Sequence, residues 1–346
     1  MDFLHVLTEL RTPFGEHFFQ FVTYFGQEVI IIAVICTLYW CVDKRFAYQL
    51  GFTYFLAGLC VQTLKITFRI PRPWILDPSF SPVESAVPAA TGYSFPSGHT
   101  QGGTCLFAPF MFKSKRLLSK LLFAFMFLLI GFSRIYLGVH TPKDVVVSMA
   151  VSLCISFAVY KASDFLLDST RYRRLILLSL LLLSSAVSIY ALFLLSHGDI
   201  SLHYASDCCK ASAAGIGFGV GWYLENRYVN FSVKGSIPFQ IGKLIIGLLV
   251  AVSFKIGIEF SVRRLPSGRY VHLLSFSSMG NLPLSMDSKK ISSIIFHSKL
   301  IYFRCPNGHL ISFLRTLSIK PFFCQSFIIF LYFYQIFYCS SRNFDV

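Results

Sequence analysis

K-I-T-F-R-I-P-R-P from Lys65 to Pro73, P-S-G-H from Pro96 to His99 and S-R-I-Y-L-G-V-H-T-P-K-D from Ser133 to Asp144 organise this chain. Each block stands at the edge of a strongly apolar run, where a membrane helix would meet water. Together they bring Lys65, Arg72 and Arg134, two histidines, one carboxylate and a Ser-Gly turn. That inventory suits the capture of a phosphate and an attack on its phosphorus.

Outside the blocks the chain is apolar. Of 346 residues 55% are hydrophobic and 14% charged, against about 25% charged in an ordinary soluble domain. Several runs approach the roughly 20 residues that cross a bilayer, so the expected fold is all-α, a polytopic membrane helix bundle. The formal net charge of +15 would suit nucleic acid, but its placement in short clusters between apolar runs argues against such a partner. The cysteines lack the spacing of a disulfide framework, and Cys36, Cys60, Cys105 and Cys154 lie within apolar runs as small hydrophobes. C-P-N-G-H at Cys305 to His309 has no second ligand pair, so no metal site is expected there.

The apolar pattern predicts spans at about 22–42, 46–65, 97–113, 117–133, 142–161, 175–196, 208–225 and 239–259. Residues 1–21 form an interfacial N-terminal segment and 22–200 a catalytic transmembrane core. Two additional helices fill 201–260. Residues 261–346 are a basic tail in which ten Lys/Arg face Asp287 and Asp345, a net of +8, and 321–339 could form a terminal hydrophobic helix. The loops at 43–45, 113–120, 161–174 and 225–240 hold 12 Lys/Arg, whereas 197–207 holds none. The positive-inside bias therefore puts Lys44 and Arg116 in the cytosol and the three blocks outside, or in a topologically equivalent lumen. Gly215, Gly217, Gly219 and Gly221 permit close helix packing, within the chain or in a homodimer.

Each block has a structural explanation beside the chemical one. In T-P-K-D, Thr141 can cap a helix that Pro142 starts, with Asp144 receiving helix-end amide protons. Alternatively Asp144 holds one imidazole nitrogen of His140 and leaves the other free to attack phosphorus. In P-S-G-H, Ser97 can cap and Gly98 can permit a tight approach. Nothing there requires an imidazole at His99, which could protonate a leaving oxygen while Ser97 and the amide near Gly98 touch phosphate oxygens. Lys65, Arg72 and Arg134 could each be a lipid-headgroup anchor. As a set they can neutralise the charge of a transition state, with Arg69 a weaker candidate.

The ordered blocks resemble the signature of the type 2 phosphatidic acid phosphatase (PAP2) superfamily, which also includes vanadium-dependent haloperoxidases. Lys65, Arg72 and Pro73 match its first block, Pro96, Ser97, Gly98 and His99 the second, and Ser133, Arg134, His140 and Asp144 the third. Gly26-Gln27-Glu28, Tyr39-Trp40 with Asp43-Lys44-Arg45, and Tyr93-Ser94-Phe95 look like the membrane-bound lipid phosphatase branch. The resemblance implies a six-helix core, here followed by two further spans, and catalysis by His140, Asp144 and His99 through a phosphohistidine. Lys65, Arg72, Ser97, Gly98 and Arg134 would cradle the phosphate, with no cofactor and no metal ion. The tail after residue 260 departs from the family pattern.

The expected substrates are isoprenyl diphosphates such as undecaprenyl diphosphate, or phosphatidate-like lipids, with sphingoid-base phosphates as the alternative. The preferred location is a bacterial plasma membrane, and the endoplasmic reticulum is the alternative. A transporter would distribute polar residues through several spans. A non-catalytic lipid-binding protein would have no use for His99 and His140.

Overall fold

A computed structural model describes residues 1–247 and 249 of the chain, and those residues form no strand. The helices are α1 (Asp2–Glu9), α2 (Pro13–Tyr24), α3 (Glu28–Thr37), α4 (Lys44–Phe68), α5 (Pro73–Leu76), α6 (Gly98–Lys113), α7 (Leu117–Tyr136), α8 (Pro142–Lys161), α9 (Ser163–Asp168), α10 (Arg173–Ser196) and α11 (Leu202–Leu224). A shorter apolar helix follows at Ile237–Gly247. The protein is an all-helical polytopic membrane protein. Among the described residues four stretches are long and apolar enough to cross a bilayer, at Lys44–Leu76 (which holds α4), α7, α8 and α10. The bent pair Pro13–Tyr24 and Glu28–Val42 would make a fifth.

Local chemistry starts these helices where the site needs them. Thr12 accepts from the Gly15 amide and Pro13 opens α2, while the Asp43 carboxylate accepts from the Phe46 amide at the start of α4. Ser97 accepts from the Thr100 amide at the start of α6. Thr141 and Asp144 form a reciprocal capping box at the start of α8, with Pro142 at the first helical position. α4 ends on Arg69 in the left-handed conformation.

The first predicted span differs from the observed one. Residues 22–42 do not form one helix, because the chain bends by 45° between α2 and α3 at Phe25–Gln27. The boundary drawn at residue 21 falls inside α2, which begins at Pro13. Gly26 and Gly102 explain the bend. A Cβ on Gly26 would stand 2.5 Å from the carbonyl oxygen of His99, and a Cβ on Gly102 would collide with the Gly26 carbonyl. The backbones of the bend and of α6 are thus in direct contact, which only glycine permits.

α6 is the hub of the bundle, packed against α4, α7 and α8, while α4 also meets α11 and α11 pairs with α10. Trp40 and Trp222 anchor an aromatic core between α4, α10 and α11. The α11 glycine stripe is used within the chain, since Cβ atoms on Gly215 and Gly219 would meet Ser184 Oγ at 2.6 Å and Leu180 Cδ2 at 2.8 Å on α10. The basic tail from residue 261, its hydrophobic segment at 321–339 and most of the 239–259 span lie outside the described residues.

Candidate active site

The end of α4, the start of α6, the end of α7 and the start of α8 come together at one end of the bundle, and with them the three blocks. Here the sequence motifs become a cavity of about 520 Å³ lined by Lys65, Arg72, Gly98, His99 and His140 among others. Ser97, Arg134 and Asp144 stand behind that lining as buried supports.

His140 sits just before α8 and is buried. Its Nδ1 is 3.5 Å from Asp144 Oδ2, and its Nε2 is 2.9 Å from Arg72 Nη1. A guanidinium only donates, so Nε2 must be the accepting nitrogen and the imidazole proton belongs on Nδ1, facing Asp144. Burial, with the charges of Arg72, Arg134 and Lys65, holds the imidazole well below its ordinary pKa. The site thus favours the neutral imidazole, whose Nε2 lone pair is engaged by Arg72.

Asp144 caps α8 and also stands beside His140. Its Oδ2 accepts from the Thr141 amide at 2.8 Å, closing the capping box, and from Ser94 Oγ at 2.6 Å. The same oxygen faces His140. Ser94 is in turn fixed by its own amide, which donates to the Ile70 carbonyl at 2.9 Å. Ser97 ties two helix starts together: its amide donates to the Asp144 carbonyl at 3.2 Å, and its carbonyl accepts from Ser148 Oγ at 2.6 Å. Ser97 Oγ is engaged in the cap with Thr100.

The cations are held without carboxylates. Arg72 Nε donates to the Gly92 carbonyl, Nη2 to Thr91 and Nη1 to Val139, so the loop before α6 and the α7–α8 connection grip its guanidinium. Lys65 Nζ donates to the Tyr93 carbonyl at 2.6 Å. Arg134 is fully buried; its Nη1 donates to Thr23 Oγ1 at 2.9 Å, while Nε and Nη2 have no partner. His99 lines the cavity, and its Nε2 is also buried without a partner. Unsatisfied donors this deep are costly, and an anion would satisfy them.

Two expectations change. Arg69 turns away from the cavity, its Nη1 bonded to Asp199 Oδ1 at 3.0 Å. Gly98 is not a close-packing residue, because nothing lies within 4 Å of where its Cβ would stand. Its missing side chain leaves open space at the cavity wall. The glycine demanded by geometry is Gly138 in the third block, with φ +75 and a Cβ position 2.8 Å from the Phe80 ring.

Sequence reasoning missed Thr23, for which α2 offers no local signal. It also missed the roles of Ser94, quoted only as part of Tyr93-Ser94-Phe95, and of Tyr204 and Asp207 on α11, which line the cavity. Tyr204 stacks on Tyr93 with ring centroids 3.9 Å apart. Among the described residues no group of three or more His, Cys, Asp and Glu is arranged to hold a metal ion.

The chain is similar to known proteins over much of its length. The profile of the PAP2 superfamily matches residues 46–168, and that of a PAP2 superfamily phosphatase transmembrane extension matches 209–282. The chain is 34% identical over 112 residues to undecaprenyl-diphosphatase BcrC of Bacillus subtilis (strain 168), covering 32% of this chain and 55% of that protein. It therefore spans about half the length of that relative. It is 25% identical over 162 residues to phosphatidylglycerophosphatase B of the same organism, covering 43% of this chain and 76% of that protein. With sphingosine-1-phosphate phosphatase 2 of Homo sapiens it shares 24% identity over 268 residues, covering 72% of this chain and 63% of that protein. Among solved structures, Aquifex aeolicus LpxE matches with a TM-score of 0.39 and 27% identity, over 46% of this chain and 93% of that one.

Proposed function

We propose that this chain, which belongs to the PAP2 superfamily, hydrolyses the phosphate ester or diphosphate of a membrane lipid and releases inorganic phosphate. The observation that carries this reading is His140, whose Nδ1 stands 3.5 Å from Asp144 Oδ2 and whose Nε2 stands 2.9 Å from Arg72 Nη1. That is the orientation a nucleophilic imidazole needs. Undecaprenyl diphosphate and phosphatidate-like lipids are the substrates in view, with sphingoid-base phosphates as the alternative.

In the proposed reaction the phosphate enters among Lys65, Arg72, Gly98 and Arg134, taking over donors that now rest on carbonyls or lack a partner. Ser97 acts chiefly by fixing the start of α6. His140 Nε2 forms the bond to phosphorus while the bond to the lipid oxygen breaks, and His99 gives that oxygen a proton. Asp144 stabilises the imidazolium that develops on His140. Water then attacks the phosphohistidine, its proton passes to His99, and phosphate leaves. Three fixed cations supply the charge neutralisation at the equatorial oxygens, so the reaction runs without a metal ion or cofactor.

Around this site we read a six-helix core over 22–200, made from the bent α2–α3 pair with α4, α6, α7, α8 and α10. α11 and the helix at Ile237–Gly247 begin the C-terminal addition. The ends carrying the three blocks face the outside of a bacterial plasma membrane, or an endoplasmic reticulum lumen. Probes attached to cysteines placed near Tyr93 or at the exposed Ser85 of the same loop should react from outside sealed cells, and those at Lys115 or Arg173 should stay protected. Equal labelling of both sets would reject this orientation.

The direct test is phosphate release by the purified protein in vesicles, with isoprenyl diphosphate, phosphatidate and long-chain-base phosphate as substrates. Release that persists under exhaustive chelation and disappears in His140→Ala is the expected result. No release from any of them would reject the proposal.

A further inference from the structure

Thr23 and Gly26 lie outside residues 46–168, the stretch that matches the superfamily profile, yet both touch residues of the proposed site. They stand where α2 ends and the chain bends toward α3. The Gly26 amide donates to the Thr23 carbonyl at 3.0 Å, which ties the two into one tight turn.

Thr23 faces Arg134. Both are fully buried, and Thr23 Oγ1 accepts from Arg134 Nη1 at 2.9 Å. Among the described residues Nε and Nη2 of Arg134 find no partner. Those two nitrogens form one edge of the planar guanidinium, a pair of parallel donors that matches two oxygens of a phosphate. Arg72 has its guanidinium held by the carbonyls of Gly92, Thr91 and Val139. Arg134 rests on the Thr23 hydroxyl instead, so the aim of its free edge depends on that one side chain. The other end of α2 is fixed to α7, which steadies the hydroxyl. There the Thr12 amide donates to Tyr136 Oη at 3.1 Å, and Phe19 packs on the Tyr136 ring with centroids 4.4 Å apart.

Gly26 faces α6. A Cβ there would stand 2.5 Å from the His99 carbonyl oxygen, and Gly26 and His99 both line the main cavity. The first turn of α6 thus rests against the backbone at Gly26, and a side chain at that point would push His99 from its place. One turn of chain therefore touches the cation that holds the phosphate and the residue that protonates the leaving oxygen.

We propose that the bend between α2 and α3 is a positioning element of the reaction: Thr23 aims the free edge of Arg134 at the phosphate, and Gly26 sets the place of His99. Each acts through its neighbour, and both are positioning residues. The proposal rests on the phosphatase reading above.

The experiment uses the purified full-length protein in vesicles. It measures kcat/KM on a long-chain alkyl phosphate and on p-nitrophenyl phosphate, together with direct binding of inorganic phosphate. Thr23→Val should lower kcat/KM about tenfold on both substrates and weaken phosphate binding by a similar factor, the worth of one hydrogen bond to a charged group. Thr23→Ser, which keeps the hydroxyl, should restore both. In an Arg134→Ala background Thr23→Val should cost nothing further, because the two residues act as a pair. Gly26→Ala should leave phosphate binding close to normal. Its loss on the alkyl phosphate should exceed that on the aryl phosphate by about tenfold, since the aryl leaving oxygen needs little protonation. Unchanged phosphate binding in Thr23→Val would overturn the proposal. A loss that Thr23→Ser does not restore, or that adds in full to Arg134→Ala, would overturn it too, as the mark of a merely structural role. Equal losses on the two substrates in Gly26→Ala would remove Gly26 from it. Absence of phosphate release from the unaltered protein on both substrates would instead reject the phosphatase reading, and phosphate binding would still decide the role of Thr23.

Discussion

The two ends of the helix bundle treat positive charge in opposite ways. At the end carrying the basic loops three cations have carboxylates. Lys44 pairs with Glu225 at 2.8 Å, Arg45 with Asp164 and Asp168, and Lys113 with Asp43 at 2.6 Å. At the other end Lys65, Arg72 and Arg134 are buried, and none of them forms an ion pair with a carboxylate of the described residues. They rest on carbonyl and hydroxyl oxygens or keep donors unsatisfied. Burying a charge without its counterion costs several kcal/mol. Three buried cations without an ion pair at one end, against paired cations at the other, suit the anion site we propose.

Substitutions should separate the two ends. The largest effect is expected for Arg134→Ala, with turnover down on the order of a thousandfold because a buried donor to the transition state is removed. Steady-state kinetics on a folded variant would measure it, and near-normal turnover would break the contrast. Lys44→Ala should act on stability instead. It strands the fully buried Glu225, which also accepts from Tyr48, and should cost roughly 3 kcal/mol in denaturant unfolding while activity per folded molecule is retained. Thr23→Val should lower turnover by about tenfold, the worth of one hydrogen bond to a charged group, through a misplaced Arg134. Arg45→Ala should change stability by only about 0–1 kcal/mol, since its pairs with Asp164 and Asp168 are exposed. A large loss of activity in Arg45→Ala would mean the ends are not separable.

Much of the catalytic end could be read from local spacing. P-S-G-H and T-P-K-D start helices by capping rules that act within four residues, so the places of His99, His140 and Asp144 at helix starts follow from the sequence. Sequence could not decide whether Asp144 caps a helix or holds an imidazole. The oxygen that closes the cap also faces His140, and it accepts from Ser94, fifty residues away. Other parts depend on contacts with no local period. Thr23 meets Arg134 across 111 residues, and Asp207 reaches the cavity from α11. The bend at Phe25–Gln27 escaped notice for a related reason. Its cause is the close approach of Gly26 to α6, while the apolar pattern runs on without interruption.

The central claim is that the uncompensated end exists to bring a phosphate to His140. Rapid acid-free quenching of the purified protein during turnover of a phosphorus-labelled lipid phosphate, followed by peptide mapping, tests it directly. The account predicts label on His140, none in His140→Ala, and slower appearance in Asp144→Asn, whose amide stabilises the imidazolium less well than a carboxylate. Phosphate released at the normal rate by a folded His140→Ala protein, with no labelled histidine in the unaltered one, would contradict it.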